Sequence, residues 1–384
     1  MSSVSRGVSR GAEVFDRWVS RGDATPRDLG IYRIVFALLI LLSPPSFRWV
    51  SQFPDSFVNG PAGPFALLHR VPPDGVLLGL ELLVGTCAGF LLVGLFTRTA
   101  SIVLALALVG GYGTVYSLGK IDHTIFLVIV PVLLAFARWG DAVSVDARRR
   151  GAGAPAAETP QWPLRLLALL VGLGFLTAAV PKVLSGWLDP RTHAVQGVMF
   201  TQYYVNDRTD LLAGHFIGLH DGVFWESVDV ATVLLEGLLV LTVLNWRCWR
   251  VGIAIASLFH LGVLLMMNIG FSGNVVTYAA FVLWARSPLL RREVPRATAA
   301  QRLAARPGSA RLTPVAAGVL ALALGVGAVL RPEAWAVPRL NQVVVVVGAV
   351  LALWYLVHVA RDLFGRLRGG RTVSVVDESA GVRP

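Results

Sequence analysis

Residues 163–184 read PLRLLALLVGLGFLTAAVPKVL. The only charges in this run are Arg165 and Lys182, and roughly 20 apolar residues are what an α-helix needs to cross the hydrocarbon of a bilayer. Gly172, Gly174 and Ala178-Ala179 leave room for a neighbouring helix to approach closely. Pro181 removes a backbone donor and opens the helix beside Lys182. A lysine at this level is costly unless it is paired, neutral or close to water.

The same reading extends along the chain. Of its 384 residues, 55% are hydrophobic and only 15% charged, with a mean hydropathy of +0.66. A soluble chain would carry about 25% charged residues. Ten apolar runs stand out, at about 28–47, 75–96, 99–117, 121–138, 163–184, 228–245, 250–269, 273–290, 312–331 and 340–360. The eighth is short, and Pro44-Pro45 should end or kink the first. The expected fold class is all-α, a polytopic helical bundle in a membrane.

The net charge of +11 does not point to nucleic acid. The arginines punctuate the apolar runs, as orientation signals do, and form no patch on a soluble domain. With the N-terminus inside, the inner segments hold 24 basic residues and the outer segments seven. That asymmetry predicts both termini on the cytoplasmic side. The first run begins near Leu29, after a polar, arginine-bearing stretch, and no small-residue cleavage site follows it. It is therefore expected to stay as a helix.

The domain reading is a cytoplasmic segment at 1–27, a transmembrane core at 28–290, a cytoplasmic arginine- and alanine-rich linker at 291–311, a further helix pair at 312–360 and a cytoplasmic tail at 361–384. Between the fifth and sixth spans, 185–227 is the longest outer segment. It carries Trp187, Tyr203, Tyr204, Trp225 and three histidines, and reads as interfacial helices or a re-entrant cap. Cys87 lies within a span and Cys248 in a short basic loop, so no disulfide is expected.

The candidate chemistry rests on few groups. The chain has 34 basic residues, and only Lys120 and Lys182 are lysines. Arginine keeps its charge, whereas a buried lysine can lose its proton and act as a base. Lys182 reads equally as a base or as an anchor reaching the headgroups. His123 starts the fourth span, three residues after Lys120 and beside Asp122. It reads either as part of a ligand-binding cluster or as an ordinary helix start. His260 lies mid-span, with Asn268 two turns on, and a histidine at that depth faces the bundle interior.

Glu81 and Glu236 also fall within spans and read as structural, protonated or paired to Arg33 or a histidine. Each lies in the N-terminal half of a span with an arginine at its inner end, a weak internal echo. Asp141 or Ser144 can cap the helix that follows. His215 and His220 are spaced i, i+5, which does not align two ligands on a helix. No metal is expected.

Several stretches together resemble the horizontally transferred transmembrane domain family, which includes the membrane domain of the vitamin K-dependent gamma-glutamyl carboxylases. They are Arg27-Asp28-Leu29-Gly30-Ile31-Tyr32-Arg33-Ile34, Gly119-Lys120-Ile121-Asp122-His123, residues 139–146, Val180-Pro181-Lys182 with Gly186-Trp187, and His260 through Asn268, Tyr278 and Ser287-Pro288. The resemblance covers roughly residues 20–290, in matching order.

It implies that Lys182 corresponds to the base that deprotonates reduced vitamin K, and that His123 lies at the quinone site. In the family's carboxylases, oxygenation of that quinol drives carbon dioxide onto glutamate. Those carboxylases carry a long lumenal domain for the peptide, whereas here two further spans follow the matched part. A reduced quinone of the vitamin K or menaquinol type is therefore the expected ligand, ahead of glutamate carboxylation. Lys182 is the candidate catalytic residue, with His123, Lys120, His260 and Asn268 around the ligand. The setting implied is a bacterial inner membrane. The other reading is a non-enzymatic factor that binds or escorts an exported peptide, protein or lipid through 185–227.

Overall fold

The computed structural model describes residues 3–151, 158–286, 309–335, 337 and 339–369. Regular structure among the described residues is helical. In chain order the α-helices are α1 (Ser3–Ser20), α2 (Pro26–Leu42), α3 (Asp74–Val93), α4 (Thr97–Tyr116), α5 (Ile125–Leu134), α6 (Val145–Arg150) and α7 (Trp162–Leu184). The short α8 (Ala194–Phe200) and α9 (Ala213–Ile217) follow, then α10 (Gly222–Thr242), α11 (Trp246–Met267), α12 (Ser272–Tyr278), α13 (Ser309–Leu330), α14 (Pro332–Trp335) and α15 (Leu340–Gly369).

Among the described residues, five helical stretches are long and apolar enough to cross a membrane: Asp74–Val93, Thr97–Tyr116, Trp162–Leu184, Trp246–Met267 and Pro332–Gly365. The other expected spans also contain helix, but two are cut short. The fourth begins at Ile125 rather than 121. Asp122 Oδ1 accepts from the backbone N–H and the hydroxyl of Thr124, at 2.8 and 2.6 Å, and holds the chain in a turn. Such a side-chain turn competes with helix, and Pro131 sits inside the helix that follows. The eighth breaks after Tyr278 into single 3₁₀ turns. There the Ala285 N–H donates to Asp28 Oδ1 of α2 at 2.7 Å. Of the linker expected at 291–311, residues 291–308 lie outside the described residues and the rest begins α13; the tail beyond 369 also lies outside them.

Local sequence sets the helix ends. Thr25 and Asp28 form a reciprocal capping box at α2, with Pro26 in its first turn, satisfying otherwise orphaned donors. The helix stops at Leu42, just before Pro44-Pro45. Ser144 caps α6 by accepting from the Ala147 N–H at 2.9 Å. Asp146 reaches back to the Phe96 and Thr97 N–H groups at 3.0 and 2.8 Å, capping α4. Arg33, fully buried, donates to the carbonyls of Leu91, Leu92 and Val143. It therefore sits at the negative end of α3. The 139–146 stretch is thus architectural.

Close packing relies on small residues. Gly85 and Gly89 of α3 meet Gly325 and Ala321 of α13 backbone to backbone, with no space for a side chain between them. Asn341 of α15 accepts from the Ser272 N–H at 3.1 Å and donates to the Gly270 carbonyl at 3.3 Å, fixing the α11–α12 turn. Near the N-terminus, the Arg165 guanidinium lies between the rings of Trp18 and Trp246, 4.8 and 3.8 Å from their centroids. Cation–π contact stabilises such a buried charge.

Candidate functional site

α7 and α10 run against each other through small residues. Gly172 lies on the backbone of Val240, and Ala179 meets Gly237. One turn beyond that contact, Lys182 Nζ bonds both carboxylate oxygens of Glu236. The lysine side chain is 22% exposed and the glutamate 7%. The Trp187 ring lies 4.9 Å from the same nitrogen. The ammonium therefore has a counter-ion and a π face, and it does not merely reach outward to headgroups. The pair carries no net charge whether the proton sits on the nitrogen or on the carboxyl group. That makes it tolerable at membrane depth.

A second group of side chains lies along the same face of α7. Phe175 is seven residues before Lys182, about 10 Å along the axis at 1.5 Å per residue. Its ring centroid is 5.9 Å from that of His260 on α11. His260, 3% exposed, shares a hydrogen bond with the Tyr278 hydroxyl through Nε2, at 2.9 Å. It stacks on Phe271 at 4.6 Å. His123 also lies against Phe271, its ring tilted at 4.7 Å. Phe271 thus bridges the two histidines. His123 stands in the turn ahead of α5, and burial holds its imidazole below the ordinary pKa, against the raising effect of Asp122. Within this group, His260 Nδ1 and Asn274 Oδ1 are buried without a hydrogen-bond partner.

The remaining sequence candidates sit differently. Lys120 is exposed in the loop before α5. Asn268 ends α11 in the left-handed conformation, φ 49°, which asparagine tolerates. Its amide donates to Asp210 at 3.4 Å and accepts from Gln342 at 3.2 Å. Glu81 accepts from the Phe47 and Arg48 N–H groups at 2.5 and 3.0 Å, a capping role. Its echo partner Glu236 has a different one. Sequence reasoning did not foresee the Glu236–Lys182 pair, nor the contribution of Phe271 and Asn274.

A cleft of about 390 Å³ lies well apart from these groups, at the start of α4, lined among others by Arg98, Arg138, Asp141 and Arg150. Asp141 pairs there with Arg138 and Arg150 at 2.7 and 3.0 Å. Its charges are largely engaged with one another, and it holds neither lysine nor histidine.

Apolar helices of spanning length, with charges paired at depth, define a multi-pass membrane protein. Residues 23–286 match the HTTM domain model, and the chain belongs to the HTTM domain family, which is related to the carboxylases. No curated protein and no solved structure matches the chain.

Proposed function

We propose that this protein binds a reduced quinone within the membrane and uses Lys182 to accept its proton, in quinol-dependent carboxylase-like or oxygenating chemistry. The observation that carries the reading is the ring group of Phe175, His260, Phe271 and Tyr278. It holds two unpartnered polar atoms, His260 Nδ1 and Asn274 Oδ1, and shares a helix face with Lys182. Aromatic rings suit a flat ring, and buried unpaired acceptors suit a ring that bears hydroxyl groups. When bound, a quinol supplies the reducing electrons and the acidic hydroxyl.

The protein's part follows from its residues. His260, oriented by Tyr278, and Asn274 would accept hydrogen bonds from the ligand. His123 would close the ring group through its contact with Phe271. Glu236 would take the proton from Lys182, leaving an amine free to act as base without placing a net charge in the hydrocarbon. The positive-inside count supports ten spans with both termini in the cytoplasm, which puts Lys182 near the outer face of a bacterial inner membrane.

The deciding experiment is lipid extraction and mass spectrometry of the purified protein, followed by assay of quinol turnover. A stoichiometric quinone is the expected result. A second reading, an escort for an exported peptide or lipid, draws on exposed apolar side chains around 185–227. Leu184, Tyr204, Val205 and Val223 are 82%, 69%, 76% and 78% exposed. Recovery of a peptide or lipid in place of a quinone would favour it.

A further inference from the structure

His193 precedes α8, while Glu226 and Asp229 lie three residues apart in the first turns of α10 and so share a face. One nitrogen of His193, one oxygen of Glu226 and one of Asp229 all lie within 4.8 Å of one another. Asp229 is fully buried. Its two oxygens accept from the Ala194 and Val195 N–H groups, each at 2.7 Å. Those bonds orient the carboxylate and hold the neighbouring His193 over α10, where its ring lies against Gly222.

The other two residues lack such partners. His193 Nδ1 and Glu226 Oε2 are both buried without a hydrogen bond. An imidazole nitrogen and a carboxylate oxygen buried without partners, on residues whose donor atoms cluster this closely, call for a ligand. Metal bonds of about 2.1 Å place two ligands as much as about 4 Å apart, close to the separation of these three groups.

We propose that His193, Glu226 and Asp229 bind one divalent transition-metal ion of the zinc or manganese kind. The donor set decides the class. An imidazole with two carboxylates suits zinc or manganese, whereas magnesium and calcium prefer oxygen alone. Three protein ligands leave a coordination position for water or an incoming oxygen ligand. The ion fastens the 185–227 segment to α10. It sits above Glu236, which follows Asp229 by seven residues on the same helix face.

The test is calorimetric titration of chelator-stripped, detergent-purified full-length protein with zinc, run with no quinone present. Its outcome is therefore separate from that of the quinol reading. One ion per chain is expected, with affinity reduced more than about tenfold in both His193→Asn and Glu226→Gln. Asparagine is chosen because His193 has a φ of 39°, and asparagine accepts left-handed backbone. Cobalt absorption on the unmutated protein gives a second measure, with visible bands expected for mixed nitrogen and oxygen ligation. No saturable zinc binding, an affinity unchanged from the parent in both variants, or loss caused only by His215→Ala or His220→Ala would each overturn the proposal.

Discussion

Lys182 and Glu236 face each other across the α7–α10 crossing, the nitrogen bonded to both carboxylate oxygens. The close approach of Gly172 to Val240 and of Ala179 to Gly237 makes that meeting possible. Each residue alone would be an uncompensated charge at membrane depth.

Removing one partner should therefore cost more than removing both. Glu236→Leu alone strands the ammonium and should destabilise the protein by about 3 kcal/mol. The double change Lys182→Met with Glu236→Leu should recover most of that loss. Thermal unfolding of the purified variants would check this. Equal destabilisation in the single and double variants would mean that the pair is not coupled.

Lys182→Arg separates the base from the anchor. Arginine keeps the pairing with Glu236 and the contact with Trp187 but cannot surrender its proton. Normal expression with quinol turnover reduced at least about a hundredfold is expected, in line with loss of a general base. Lys182→Met should behave alike in turnover. A fully active, normally expressed arginine variant would rule out the quinol-base mechanism.

Gly325 and Gly85 form a contact between backbones, so a side chain there must push α13 away from α3. Gly325→Leu should cost roughly 1–3 kcal/mol by overpacking, visible as a lowered melting temperature. Gly218→Ala, in open space at the end of α9, is the control and should leave stability close to that of the parent.

Orientation is open to labelling. A cysteine introduced within 291–311 should resist membrane-impermeant maleimide in intact cells and react after permeabilisation, because the arginine count puts this linker inside. Labelling in intact cells would change the number or direction of the spans.

Much of the fold can be read locally. Thr25-Pro26 with Asp28 marks the start of α2, and Pro44-Pro45 limits its end. The small residues of 163–184 announce a close helix crossing. What escapes a linear reading is tertiary. Glu236 is 54 residues from Lys182, and nothing in either neighbourhood names the other. The i, i+3 and i+10 pattern of Glu226, Asp229 and Glu236 on one face of α10 does carry a signal of functional polarity. The two shortened helices were hidden for a different reason. The turn at Asp122 and the bond from Ala285 to Asp28 override apolar runs that by composition alone would continue.

Asn341 holds the Ser272 N–H and the Gly270 carbonyl, the residues on either side of Phe271, whose ring touches both His123 and His260. It lies beyond residue 286, where the family match ends. The pitch of that central ring is thus set by a hinge pin from a later helix. A change at Asn341 would tilt Phe271 and alter the spacing of the two imidazoles without touching any residue of the stack. The chain thus carries a means of retuning its interior from outside the stretch it shares with its family.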